Sequence, residues 1–122
     1  GPRRRLLERL LMDPDPLVIE KLLDNPALRA QDVIVIASRR PTTPALVGCI
    51  TRHTGWMQNP QIREAAARNP YAHTGHALRL LPTLAFDVLR QLATSKDLHP
   101  EVNAFAELLV ELRERHLALT QP

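Results

Sequence analysis

Apolar positions recur at helical spacing along nearly the whole chain, in short runs that proline cuts apart. Residues 3–12 set Leu6, Leu7, Leu10 and Leu11 on one side, and ten residues make a marginal helix alone, so this segment is expected to cap something larger. Asp13-Pro14-Asp15-Pro16 then forms a turn, with Asp15 placed as N-cap and Pro16 at the first helical position, where its missing N–H costs nothing. Val18, Ile19, Leu22 and Leu23 make the apolar stripe behind it. The device returns at Thr43-Pro44, Asn59-Pro60 and His99-Pro100, each with an aliphatic two residues after the proline, and three of the four carry a good N-cap residue. Three apolar runs lack the proline: Val33–Ala37, Ala77–Leu81 and Ala85–Ala93, the last with Thr83 as its candidate N-cap. Val33-Ile34-Val35-Ile36 favours a strand by propensity, but no other segment alternates in a way that would partner it, so residues 32–39 read as a short buried helix. From Pro100 a long terminal helix is expected, with Val102, Phe105, Leu109, Leu112 and His116 on its stripe and Leu108 beside it. The pattern predicts an all-α chain of about seven short helices.

One unit of this pattern repeats. Pro16–Pro26 (PLVIEKLLDNP) and Pro60–Pro70 (PQIREAAARNP) lie 44 residues apart and match at Pro16/Pro60, Glu20/Glu64, Asn25/Asn69 and Pro26/Pro70. Such a period marks stacked helical repeats, in which each unit buries its apolar face against its neighbours. Asn25-Pro26 and Asn69-Pro70 are read as structural corners, because the residue before proline is pushed out of the α region and asparagine bonds the freed backbone. An alanine at Asn69 is expected to cost about 1 kcal/mol, as lost caps do. Ala65-Ala66-Ala67 offers a place for neighbouring helices to approach closely.

Around this corner Arg63, Ala65, Ala66, Ala67, Asn69, Pro70, Leu78 and Leu81 resemble the leucine-rich repeat variant family, whose repeats carry an R-x-A-(A/V)-A-x-N-P core and a leucine-bearing second helix. More loosely the helix-pair period is similar to HEAT-type repeats. The resemblance spans residues 13–106 and is specific at 60–82, while Pro44–Thr54, with Gly48, departs from the pattern. It implies a right-handed helical solenoid in which some second helices are short or of the 3₁₀ kind. A family member carries an iron–sulfur cluster on a separate cysteine motif, which is absent here because Cys49 is the single cysteine. Gly1-Pro2 reads as a scar of tag removal, leaving residues 3–122 as one domain: a cap helix (3–12), repeats (13–98) and a C-terminal helix (99–119).

Composition narrows the chemistry. Four aromatics and 44% hydrophobic residues leave Leu, Val, Ile and Ala to fill the core. No apolar run approaches the ~20 residues a bilayer span needs and no signal peptide is visible, so a reducing, cytoplasmic setting without membrane insertion is expected. Cys49/His53 and His73/His76 have spacings that metals use, but with no second-shell carboxylate in sequence reach they read as a buried cysteine and capping or surface histidines, and no cofactor is expected. Ser38 and Ser95 end helical runs with no nucleophile motif around them, and Gly1, Gly48, Gly55 and Gly75 make no phosphate loop.

Charge is the remaining signal. The balance of +3 is uneven: residues 39–96 hold eight basic and two acidic side chains, the first 38 residues are neutral, and residues 97–122 hold two basic and five acidic ones. Arg39, Arg40, Arg63, Arg68, Arg79 and Arg90 recur through successive helices and are read as a stripe that grips an acidic partner protein, with Trp56 as a further anchor or a core seal. Reversing Arg63 and Arg68 to Glu is then expected to shift melting by only about a degree or two. The function implied is a non-catalytic protein-interaction scaffold, able to pair with itself through the C-terminal helix. The alternative is a nucleic-acid-binding HEAT-like domain in the manner of the HEAT-like alkylpurine DNA glycosylases, which sparse aromatics and modest net charge disfavour.

Overall fold

Proline and its cap start four of the helices where the spacing places them. In the computed structural model, which describes residues 1–120, Asp15 accepts from the Leu17 N–H, Thr43 from that of Leu46, and Asn59 from those of Gln61 and Ile62. The fourth cap is an imidazole that the sequence pattern did not count, since His99 Nδ1 accepts from the Glu101 N–H at 3.0 Å. Among the described residues there are eight α-helices rather than seven, and no strand: α1 (Pro2–Leu10), α2 (Pro16–Leu22), α3 (Ala30–Ala37), α4 (Pro44–Thr51), α5 (Pro60–Arg68), α6 (Thr74–Leu80), α7 (Phe86–Ala93) and α8 (Pro100–Thr120), with 3₁₀ turns at Trp56–Gln58 and Leu81–Thr83.

The β-branched run is helical. Val33 and Ile36, one turn apart, are completely buried in α3, and the Asp32 side chain caps its start by accepting from the Arg29 N–H. Burial against a neighbouring helix outweighs a propensity difference on the order of 1 kcal/mol. Thr83 does not cap α7. Pro82 holds that segment in a 3₁₀ turn, where the Thr83 hydroxyl donates to the Leu80 carbonyl, and α7 begins at Phe86 with no side-chain cap.

Alternate helices pack together: α2 on α4, α3 on α5, with α4 against α5 between them, and α8 covers α7 and α6. The core falls into two clusters that meet at α4 and α5. Leu46, Cys49 and Ile50 of α4 and Ile62 of α5 face the N-terminal cluster, while Val47, Ala66 and Ala67 face the C-terminal one. Ala66 and Ala67 are wholly buried, the small side chains that let α5 sit close to three neighbours. On α8 the buried side runs through Val102, Ala106, Leu109, Val110 and Arg113, and not through the expected Leu112 and His116, which are exposed with Leu108. The helix outlasts what it packs on: Arg113 donates to the carbonyls of Leu84 and Pro82, and residues 114–119 are all exposed.

The two asparagine corners share a local turn and differ in what surrounds them. Asn25 Oδ1 accepts from the Ala27 N–H and Asn69 Oδ1 from the Tyr71 N–H. Asn69 is also buried at 2% exposure, and its Nδ2 donates to the carbonyls of Ala37 and Arg39 at the end of α3, at 2.8 and 2.9 Å. An alanine there strands two carbonyls and an N–H, so the cost rises from the cap-sized figure to about 2–4 kcal/mol. Asn25→Ala, at an exposed turn, is expected to cost about 0.5–1 kcal/mol. Urea unfolding of the two variants measures the difference.

Asp32 ties α1 to α3. It is buried, and Arg4 donates to both of its oxygens, at 2.9 Å on Oδ2. Its carboxyl is held below the ordinary value, chiefly by the Arg4 hydrogen bond and then by the Arg29 N–H, against the opposing effect of burial. The unfolded chain thus takes up this proton more readily than the folded one. The stabilisation is complete above the unfolded carboxylate pKa of about 3.9 and is lost as pH falls through the lowered folded value. Arg4→Met is therefore expected to weaken the protein at pH 7 and to flatten the decline of its urea midpoint below pH 4.

Candidate functional site

Most of the arginines chosen from the sequence are bonded within the protein. Arg39, from the end of α3, donates to the carbonyls of Leu11, Met12 and Asp13 beyond α1. Arg40 donates to the Arg68 carbonyl at 2.9 Å and pairs with Asp97 at 2.5 Å. The Asp97 carboxyl lies below its usual range because the Ser95 hydroxyl and Arg40 both bond it. Arg68 donates to Glu64 through Nε and Nη2 and also reaches Gln91 of α7. A hollow of about 340 Å³ between α3 and α5 is lined by Arg40, Gln61, Glu64 and Arg68, so its cations already face acceptors. Arg90 lies over the Phe86 ring, 5.9 Å from its centroid, and lines a hollow with Asp87 and Glu107.

Arg63 overturns one expectation. It is half-buried, its Nη1 donates to the Met57 carbonyl at 2.5 Å, and its Nε is buried without a partner. A glutamate there would set a carboxylate against that carbonyl, so the Arg63/Arg68 reversal is a destabilising change and not a neutral surface one. Trp56 is half-buried against the N-terminal cluster and its Nε1 donates to the Leu23 carbonyl at 2.8 Å, closing the end of α2. Its ring tilts against His53, which bonds Asp24.

Arg79 is different. It is exposed on α6, and its guanidinium has no hydrogen bond or ion pair among the described residues. Arg52, just past the end of α4, is likewise unbonded through its guanidinium, which lies over Gly48; a Cβ on that glycine would stand 2.6 Å from Arg52 Nη1. Both cations act on His76, whose Nδ1 lies 3.1 Å from the Thr51 hydroxyl and whose ring is 5.1 Å from that of His73. Burial, followed by the charges of His73, Arg79 and Arg52, lowers the His76 pKa and keeps that imidazole neutral at pH 7. No Asp or Glu occurs between residues 65 and 86, so nothing on α6 offsets the field. Glu20 and Asp24 line a small hollow together with Arg52. Arg52 was counted in the charge balance but not in the stripe. His73 caps α6 by accepting from the Gly75 N–H, in keeping with the capping reading of these histidines.

Cys49 Sγ donates toward the carbonyls of Pro16 and Ala45, and burial raises its pKa, so the thiol serves as a packed core group. His53 lies beyond the end of α4 and bonds Asp24, which separates it in role from Cys49.

Compared with protein-family models, curated proteins and solved structures, the chain matches none of them. The functional reading therefore rests on the residues themselves.

The split among arginines is measurable. Arg39→Ala leaves three carbonyls without their donor and is expected to cost about 1–3 kcal/mol, whereas Arg79→Ala is expected to stay within about 0.5 kcal/mol of the parent. Thermal unfolding of the two variants side by side gives the answer.

Proposed function

We propose that the chain is a non-catalytic docking module, a right-handed helical-repeat solenoid of the leucine-rich repeat variant or HEAT-like kind, that takes an acidic protein segment on its α4–α6 edge. The turn shared by the two matching corners supports the repeat reading, since Asn25 and Asn69 each accept through Oδ1 from the N–H two residues on. The observation that carries the docking site is the pair of guanidiniums, Arg52 and Arg79, that both act on His76 without a bonded acceptor of their own.

Guanidinium is the side chain best suited to a bidentate grip on carboxylate. The arginines that hold backbone carbonyls are already committed, so of the central arginines these two have the most to gain from an arriving anion. Arg90, stacked on Phe86 beside two carboxylates, is a weaker candidate, and Trp56, bonded to Leu23, is a lesser anchor still. A protein segment fits better than a nucleic acid. Base stacking needs exposed aromatics, and among the described residues Tyr71 is exposed while Trp56, Phe86 and Phe105 are half-buried.

Fluorescence anisotropy with a labelled glutamate-rich peptide and with a random DNA duplex tests this reading. Arg52→Glu combined with Arg79→Glu is expected to weaken peptide binding by at least about tenfold while leaving the melting temperature unchanged. Peptide affinity equal to the parent's would remove the site. Duplex binding that collapses with added salt and is lost in the double variant would reassign the edge to nucleic acid.

A further inference from the structure

The two ends of the helix stack carry matching unpartnered stripes of opposite charge. At about 100° per residue, α1 places Leu7 and Leu11 on its buried side, Leu6 and Leu10 next to them, and Arg5 and Arg9 beyond. Leu6 is 58% exposed and Leu10 41%, and with Pro26 and Ala27 they line a hollow of about 560 Å³ that also takes in Arg3 and Arg29. On α8 the same order recurs. Val102, Ala106 and Leu109 are inside; Leu108 and Leu112, 48% and 50% exposed, come next with Leu119, with Arg115 at their edge; and Glu107, Glu111 and Glu114 form the outer row. None of Arg5, Arg9, Glu107, Glu111 and Glu114 forms an ion pair among the described residues.

We infer that α8 of one copy docks antiparallel on α1 of a second copy, leucine stripe to leucine stripe. In facing antiparallel helices the flank on a given side of the seam meets the same flank of the partner. Both charged rows lie on the same side of their stripes, so an α1–α8 pair brings Arg5 and Arg9 against the glutamates. The like pairings do the reverse: antiparallel α8–α8 sets glutamate against glutamate and α1–α1 sets arginine against arginine, and both are repelled. The contact is heterologous, because each copy offers a different end, so it propagates head to tail instead of closing as a two-fold dimer. With α1 only nine residues long, roughly 14 Å, the seam is shorter than a standard interface, so association is weak and strongly salt-dependent.

Sedimentation velocity of the chain across a dilution series, at low and high salt, reads this directly. The average mass is expected to rise with concentration at low salt and to fall back in high salt. Arg5→Glu with Arg9→Glu, or Glu111→Arg with Glu114→Arg, is expected to abolish the rise by weakening association more than tenfold. All four substitutions together in one chain are expected to restore it. Circular dichroism keeps the comparison among folded proteins, and the positions are exposed. A parent that stays monomeric at every concentration overturns the inference. So does an Arg5/Arg9 variant that associates like the parent, which would place the contact at α8 alone, and so does a fourfold variant that stays monomeric.

Discussion

A helix of seven to nine residues ends with four carbonyls that its own hydrogen-bond ladder cannot reach, and in a stack of such helices those ends lie against neighbours. The usual remedy is a glycine in the left-handed conformation just past the helix, which folds the backbone over its own carbonyls. This chain has four glycines, and none of the described residues has a positive φ. The carbonyls are met from outside. Arg39 serves the end of α1, Trp56 that of α2, Asn69 that of α3, Arg40 that of α5, and Asn103 that of α7 by donating to Leu92 and Ser95. Each donor comes from a different element than the one it closes, so helix termination and inter-helix docking are a single set of bonds.

That arrangement occupies arginines that the sequence alone leaves free. Long side chains with several N–H groups are suited to reaching a carbonyl on an adjacent helix, and at a partly dry interface a charge-assisted bond is stronger than a neutral one. Arg39, Arg40, Arg63 and Arg113 do this, and Arg68 is held by Glu64 and Gln91. A count of basic residues in the middle of the chain thus overstates the field available to a partner. Among the central basic residues, Arg52, Arg79, Arg90 and Lys96 form no hydrogen bond or ion pair through their charged groups among the described residues, and residues 65–86 bring no acid. After burial and the charge of His73, Arg79 and Arg52 both lower the pKa of His76.

Much of the helix pattern was legible in the chain itself. Proline at the first helical position and a preceding cap are local rules, so the starts at Pro16, Pro44, Pro60 and Pro100 follow from a few residues each. The asparagine corners were legible for the same reason: an Asx turn closes within two residues, at Asn25 as at Asn69. Thr83 was misread because Pro82 beside it imposes a tighter turn than a cap needs. The α8 stripe was misread because periodicity names an apolar side but not where the neighbouring helices stop; α6 and α7 cover α8 only as far as Arg113.

By itself, then, the sequence determined the helical class, the corners, the proline starts and the location of net charge, all of which depend on residues within a turn or two of one another. Which arginines are structural was decided only in three dimensions. Nothing within a few residues of Arg39 or Arg63 distinguishes them from Arg79; the difference is whether an unmet carbonyl from another helix lies within about 3 Å of the guanidinium. The same holds for the two Asn-Pro corners, identical in sequence, of which one is exposed and the other holds the end of α3. A carbonyl's need for a donor is created by the end of its own helix, but the donor arrives from a residue 26 to 33 positions away in most of these bonds, and that distance is closed only by packing.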